Sequence, residues 1–255
     1  QDNWILRITL DYEGNKNALS EVMIAELIEA ISEANNNKEV NVIIIASTGN
    51  VFCSGHNLKE ITAARNNNDG GASYFKNLYK LCSSLMQLIV SCSKPVIAEV
   101  GGIATAAGCQ LVASCDLAIS SDTAQFATPG VNIGLFCSTP MVALSRNVSK
   151  KEAMKMLLTG DMIDAVEAKR ISLINDYVSE DKLEESVNNL ANKISKKSLM
   201  TIKIGKEAFY KQYDMSLSDA YEYTSMVMAQ NTLKDDAKEG ISSFIEKRDP
   251  NWKDN

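Results

Sequence analysis

The chain has 255 residues, 26 basic and 32 acidic side chains, a net charge of −6 and 45% hydrophobic residues. A chain of this length and composition can build a full core in one or two domains, which excludes a disordered or collagenous polymer. The acidic balance excludes a dedicated nucleic-acid binder and argues against an anionic membrane surface as partner, since both need a basic field. The single histidine, His56, excludes a multi-histidine metal site within one chain, and any Ser-His-Asp relay would have to run through it.

In chain order, the N-terminal Gln1-Asp2-Asn3-Trp4 lacks a basic segment followed by an apolar one, so no signal peptide is expected. The chain starts without Met, which leaves a removed targeting segment open. Residues 4–10 alternate towards a half-buried strand, and residues 20–34 carry an apolar stripe at helical spacing with Ser20 as N-cap. Residues 42–45 form a continuous β-branched run, which predicts a strand buried on both faces of a parallel sheet. The spacing predicts a long helix over 74–89, a strand over 96–100 broken by Glu99, and a short strand over 116–120. This alternation gives an α/β class with a mostly parallel sheet.

From about residue 180 onward the periods are helical, over 181–194, 200–210, 217–230 and 236–247, and Pro250 ends the last helix. The Asn triplets 35–37 and 66–68 read as solvated turns, the second within 64–72, the best candidate for a mobile loop. No apolar run approaches the roughly 20 residues that span a membrane. The six cysteines form no CxxC pair and match no zinc spacing, so they read as reduced thiols of a cytosolic or organellar protein.

Two segments can carry chemistry. One is Ser54-Gly55-His56-Asn57-Leu58-Lys59-Glu60; the other is Gly101-Gly102 through Ala106-Ala107-Gly108-Cys109-Gln110. Each follows a strand and leads into a helix, where backbone N–H groups are unpaired and can hold an anion. The second lacks the G-x-G-x-x-G spacing of a dinucleotide site, and its small residues let a ligand approach the backbone. Two such turns, each offering one amide, can make an oxyanion hole.

Residues 42–46, 52–60, 94–98, 106–116 and 124–129, with Gly240 through Trp252 at the end, resemble the crotonase (enoyl-CoA hydratase/isomerase) superfamily, in order and at its spacing. Gly55-His56, residues 104–115 and residues 126–140 resemble one narrower subgroup of it. The resemblance implies an α/β fold with a β-β-α spiral core over 1–190 and a C-terminal helical trimerisation module over 191–255. It implies an acyl-CoA thioester as partner, a homotrimer or dimer of trimers, and no cofactor beyond the coenzyme A of the substrate. It also implies the mitochondrial matrix in a eukaryote or the cytoplasm in a bacterium. By matched position the oxyanion hole would be the amides of His56 and Ala107, with Ala107 standing where the family usually has Gly. Ser54, Leu58 and Lys59 would touch coenzyme A, as would Phe244 and Lys247 of the terminal helix, often from a neighbouring subunit. A plain solvated charge is the alternative for Lys59 and Lys247.

Hydratases of this family use two glutamates, and here Gln110 and Gly130 stand at their positions. Each acid–base group contributes roughly 10²–10⁴ in rate, so hydration is expected to be weak or absent. Substituting Gln110→Glu together with Gly130→Glu is expected to raise it if the pocket is otherwise intact. Glu60 and Asp116 read as structural, Glu99 as a surface or interface residue, and Cys137 as either a core thiol or one lining the acyl pocket. The Ser-Gly-His segment also resembles methylmalonyl-CoA decarboxylase, whose chemistry needs a stabilised enolate rather than two carboxylates. A helix dipole would keep His56 neutral. The alternatives to a weak hydratase are therefore enolate chemistry such as decarboxylation, or a non-catalytic acyl-CoA-binding protein.

Overall fold

The computed structural model describes residues 4–254; the leader reading at Gln1-Asp2-Asn3 lies outside the described residues. The chain opens with β1 (Ile5–Leu10) and α1 (Glu21–Asn36), whose Ser20 cap accepts the Met23 N–H at 3.1 Å. Three units follow, each a strand, a short second strand and a helix. They are β2 (Val42–Ser47) and β3 (Val51–Cys53) with α2 (Leu58–Ala64) and α3 (Ala72–Ser91); β4 (Val96–Val100) and β5 (Ile103–Thr105) with α4 (Ala107–Ser114); and β6 (Leu117–Ser121) and β7 (Gln125–Ala127) with α5 (Pro140–Asn147). Next come α6 (Lys150–Thr159), β8 (Ile163–Asp164), α7 (Ala165–Arg170), β9 (Asp176–Val178), α8 (Leu183–Ser195), α9 (Leu199–Gln212), α10 (Leu217–Thr232) and α11 (Asp235–Glu246).

The first strand of each unit joins one sheet, ordered β1-β2-β4-β6-β9 and parallel throughout. The second strand joins another, β3-β5-β7-β8, parallel except at β7–β8. Each repetition advances both sheets by one strand, which is the β-β-α spiral. The unbroken β2 run is explained by its two covered faces. Ile43 and Ile45 pack with Leu27, Ile31 and Leu85, while Val42, Ile44 and Ala46 pack with Leu183, Val187 and Ala191 of α8. The expected division at 190/191 thus falls inside α8, a helix whose apolar stripe covers the sheet. The helices that follow behave differently: α10 buries no residue, and Leu217, Tyr221 and Met228 on it are exposed.

Two expected solvated turns are tied down. Asn35 accepts hydrogen bonds from Ser93 N at 2.8 Å and Ser93 Oγ at 2.7 Å, joining the end of α1 to the end of α3. In the 64–72 segment, Asp69 accepts the Gly71 and Ser73 N–H groups at 3.0 and 2.9 Å and so starts α3. Among the described residues no helix is long and apolar enough to cross a membrane. All six cysteines are free and buried.

Candidate active site

Two turns meet at the ends of β3 and β5. In the first, Gly55 adopts φ +90°, a conformation open to glycine. Leu19 donates to the Gly55 carbonyl at 2.8 Å and Asn57 donates to Leu19 at 3.3 Å. This short bridge leaves the His56 N–H between them without a partner among the described residues. In the second turn, Ala106 is held at φ 51°, ψ −116° by its N–H bond to Ala127 O at 2.9 Å. The Ala107 N–H that follows opens α4 and is also free among the described residues, as first-turn amides are.

The turns touch through backbone. A β-carbon on Gly55 would lie 2.9 Å from Ala106 Cβ and 3.2 Å from Ala107 N; one on Gly108 would lie 2.1 Å from Cys53 O. Thr105 Oγ1 donates to Ser54 O at 3.1 Å, closing the junction from the side. The geometry thus brings the His56 and Ala107 segments together, with two free donors on neighbouring turns. Such donors can stabilise charge that develops on a carbonyl oxygen.

The His56 ring packs edge-on against Tyr79, with centroids 5.3 Å apart, and its Nε2 is buried without a partner among the described residues. Burial pushes its pKa down to about 4, so the imidazole is neutral at pH 7. The neutral state matches the sequence expectation, but desolvation is the cause found here rather than a dipole; α2 is only seven residues long.

Gln110 lies one turn into α4 and is 4% exposed, and its Oε1 is buried without a hydrogen-bond partner among the described residues. It borders a cavity of about 810 Å³ between α3, α4, α5 and α9, walled by Met86, Val90, Val142, Ala143 and Phe209. Gly130 is in a 3₁₀ turn, Pro129–Ile133, and has no room for a side chain: a β-carbon would meet Leu135 O at 2.8 Å and Cys137 Sγ at 2.9 Å. Cys137 is buried and fills this space; it is not among the residues bordering the cavity. A backbone carbonyl thus stands where a side chain at 130 would begin, so the intact pocket on which the expected gain of Gln110→Glu with Gly130→Glu depends is not present at this position.

Of the other expected contacts, Ser54 is half-buried at the junction, while Leu58 and Lys59 stand exposed at the start of α2. Phe244, 84% exposed, and Lys247 lie at the end of α11, which packs on α9 and α10. The remaining carboxylates are engaged elsewhere. Glu60 accepts from Asn57 Nδ2 at 2.9 Å and Tyr74 OH at 3.2 Å. Glu99 is not on the surface: its side chain is 12% exposed and pairs with Arg7, which also donates to Asn188 of α8. Asp116 caps no helix. It accepts Val96 N–H, Lys206 Nζ at 2.7 Å and Tyr210 OH at 2.9 Å, and so docks α9 as the outer wall of the cavity. The roles of Lys206 and Tyr210 were not visible in the sequence, because a helical period does not show which polar side chain finds a partner ninety positions away.

A family model described as Enoyl-CoA hydratase/isomerase matches residues 1–255. The chain is 48% identical over 252 residues to the mitochondrial enoyl-CoA hydratase domain-containing protein 3 of Xenopus laevis, covering 99% of this chain and 84% of the relative. It is 45% identical to the human protein of that name, covering 97% and 80%. Among solved structures it matches that human protein at 44% identity and TM-score 0.94, covering 99% and 98%. An enoyl-CoA hydratase of Mycobacterium smegmatis matches at 41% identity and TM-score 0.94, covering 99% and 96%.

Proposed function

For a chain that belongs to the enoyl-CoA hydratase/isomerase family, we propose a site that binds an acyl-CoA thioester with its carbonyl oxygen between the His56 and Ala107 amides, and that hydrates enoyl thioesters slowly or not at all. The observation carrying this reading is the pair of free N–H groups on touching turns. Polarising the thioester needs only those donors. Hydration further needs a group to activate water and another to protonate the α-carbon. A carboxamide at Gln110 exchanges no proton near neutral pH, Gly130 offers no side chain, and Glu60 and Asp116 are held by other partners. The acyl chain runs past Gln110 into the cavity behind α4. Ser54, Leu58 and Lys59 meet the coenzyme A moiety, and Phe244 and Lys247 meet it from a neighbouring copy in a homotrimer or dimer of trimers. No further cofactor is required. The vertebrate relatives are named as mitochondrial, and we place this protein in the mitochondrial matrix of a eukaryotic source, or the cytoplasm of a bacterial one.

The decay of crotonyl-CoA absorbance tests this reading. Turnover is expected at least a thousandfold below that of a two-glutamate homologue, and equal turnover would overturn it. A second reading, decarboxylation through a thioester enolate, draws on the neutral His56 with its unpartnered Nε2 beside the amide pair. It predicts CO₂ from malonyl- or methylmalonyl-CoA. Binding without mass change of any acyl-CoA would leave a non-catalytic acyl-CoA-binding role.

A further inference from the structure

We propose that Tyr79 is a positioning residue for the first of the two amides: by seating the His56 ring, it holds the Gly55–His56 peptide plane with the N–H aimed at the carbonyl to be polarised. The inference rests on the reading of the His56 and Ala107 amides given above.

The His56 N–H belongs to the same peptide unit as the Gly55 carbonyl. That unit is trans, so the two groups point in opposite directions. Leu19 N–H, bonded to Gly55 O at 2.8 Å, pins one side of the plane. The plane can still turn on two torsions, ψ of Gly55 and φ of His56. Glycine sets little steric limit on the first. The second depends on what holds His56 itself and the residue after it. Two contacts do so, both from α3. The Tyr79 ring meets the imidazole with the two planes at 84°, a favoured aromatic arrangement. Tyr74 OH donates to Glu60 Oε2 at 3.2 Å, and Glu60 Oε1 accepts Asn57 Nδ2 at 2.9 Å, which fixes the following residue.

Of these two contacts, the one with Tyr79 acts on His56 directly. Hydrogen bonding does not explain the inward ring. Its Nε2 is buried without a partner among the described residues, and such burial costs free energy. The contact that retains the ring against this cost is the face-to-edge seat on Tyr79, and what the seat secures is the direction of the N–H. The second donor needs no such seat. Its turn is held main chain to main chain, by Ala106 N–H on Ala127 O at 2.9 Å and by Gly108 against Cys53 O. The His56 amide is thus the member of the pair whose aim depends on a side chain.

The test is isotope-edited infrared spectroscopy of butyryl-CoA labelled with carbon-13 at the thioester carbonyl. The ester is bound to the whole protein and to Tyr79→Leu, Tyr79→Phe and His56→Ala. Hydrogen bonds to the carbonyl lower its stretching frequency, so in the wild type the bound band is expected below that of the free ester. In Tyr79→Leu the band is expected to return roughly half of the way or more, while affinity falls about tenfold at most, the worth of one aromatic pair. Tyr79→Phe keeps the ring and is expected to keep the wild-type band. His56→Ala keeps the N–H and removes the imidazole; it is expected to match Tyr79→Leu, and the double variant to go no further. A wild-type band in Tyr79→Leu or in His56→Ala, or a loss in Tyr79→Phe equal to that in Tyr79→Leu, would overturn the inference. If the wild-type band is displaced and the variants do not move it, only this inference fails. If the wild type leaves the band at its free position, or binds no ester, the amide reading fails with it. Should Tyr79→Leu not fold, His56→Ala decides.

Discussion

A β-carbon on Gly130 would approach a backbone carbonyl, Leu135 O, to 2.8 Å and a buried thiol to 2.9 Å. A side chain there must push the Gly130–Cys137 turn apart. The double variant Gln110→Glu, Gly130→Glu is therefore expected to lose stability by roughly 3 kcal/mol or more, as overpacked sites do, and to gain no hydratase activity. Urea denaturation and crotonyl-CoA turnover of the variant check both halves. A stable, active double variant would show that the turn yields. His56 allows a second residue-scale expectation. Its folded pKa is about 4 against the ordinary 6.5 of a free imidazole, so the unfolded chain binds a proton first as pH falls. Stability from this group is present above pH 6.5 and is lost as pH drops towards 4. Between pH 7 and pH 5 the loss is about 2 kcal/mol. His56 is the only histidine, so His56→Phe is expected to flatten urea-denaturation midpoints across that window. At this scale the sequence pointed to two turns that the structure brings into contact, and hid their surroundings. The reading of Gln110 and Gly130 came from motif position, but the carbonyl opposite Gly130 comes from a turn whose path no periodicity encodes.

The elements themselves were written plainly where patterns are long. The predicted strand over 42–45, the long helix over 74–89 and the four C-terminal helices all match observed elements within a few residues. Burial on both faces produces an unbroken apolar run, and a one-sided helix a stripe, so these signals are local. Long-range polar anchors are not local. Lys206 lies on α9 and donates to Ile89 O, Lys94 O and Asp116, ninety positions from that carboxylate. With Tyr210 on the same carboxylate, it decides where α9 sits. Lys206→Met would leave a part-buried carboxylate short of its cation, and removing one partner of such a pair costs about 3 kcal/mol. The variant is expected to show that loss in thermal denaturation. Hydrogen exchange is expected to rise in α9 ahead of the sheet, because the freed helix forms the cavity's outer wall. A uniform rise across the molecule would contradict this anchoring role.

At the level of the whole molecule, the C-terminal end is fastened to the helices it follows. Trp252 Nε1 donates to Lys196 O at 2.9 Å, buried Asp236 accepts the Lys253 N–H at 2.7 Å, and Asp254 caps the start of α9 through Leu199 N at 2.6 Å. This strapping holds α9, α10 and α11 in a fixed arrangement while Met228, Leu233, Phe244 and Ile245 remain exposed, each by more than 60%. A rigid surface of this kind buries well against a copy of itself. Light scattering coupled to size exclusion is expected to give three or six times the mass of one chain, and Leu233→Asp with Phe244→Asp is expected to lower it. A monomer at micromolar concentration would refute the proposed assembly.

The contact between the two turns has a broader consequence. Gly108 approaches Cys53 O, and Gly102 approaches Asn50 O, so closely that a β-carbon would lie 2.1 Å from either carbonyl. The spiral's successive units thus meet main chain to main chain, and the donors at 56 and 107 are main chain as well. Substitution of side chains around them can delete an acid, add a hydroxyl or reshape the cavity without erasing the donors. A lineage built on this scaffold is free to abandon one reaction and take up another ligand, because its grip on a carbonyl is inherited separately from its chemistry.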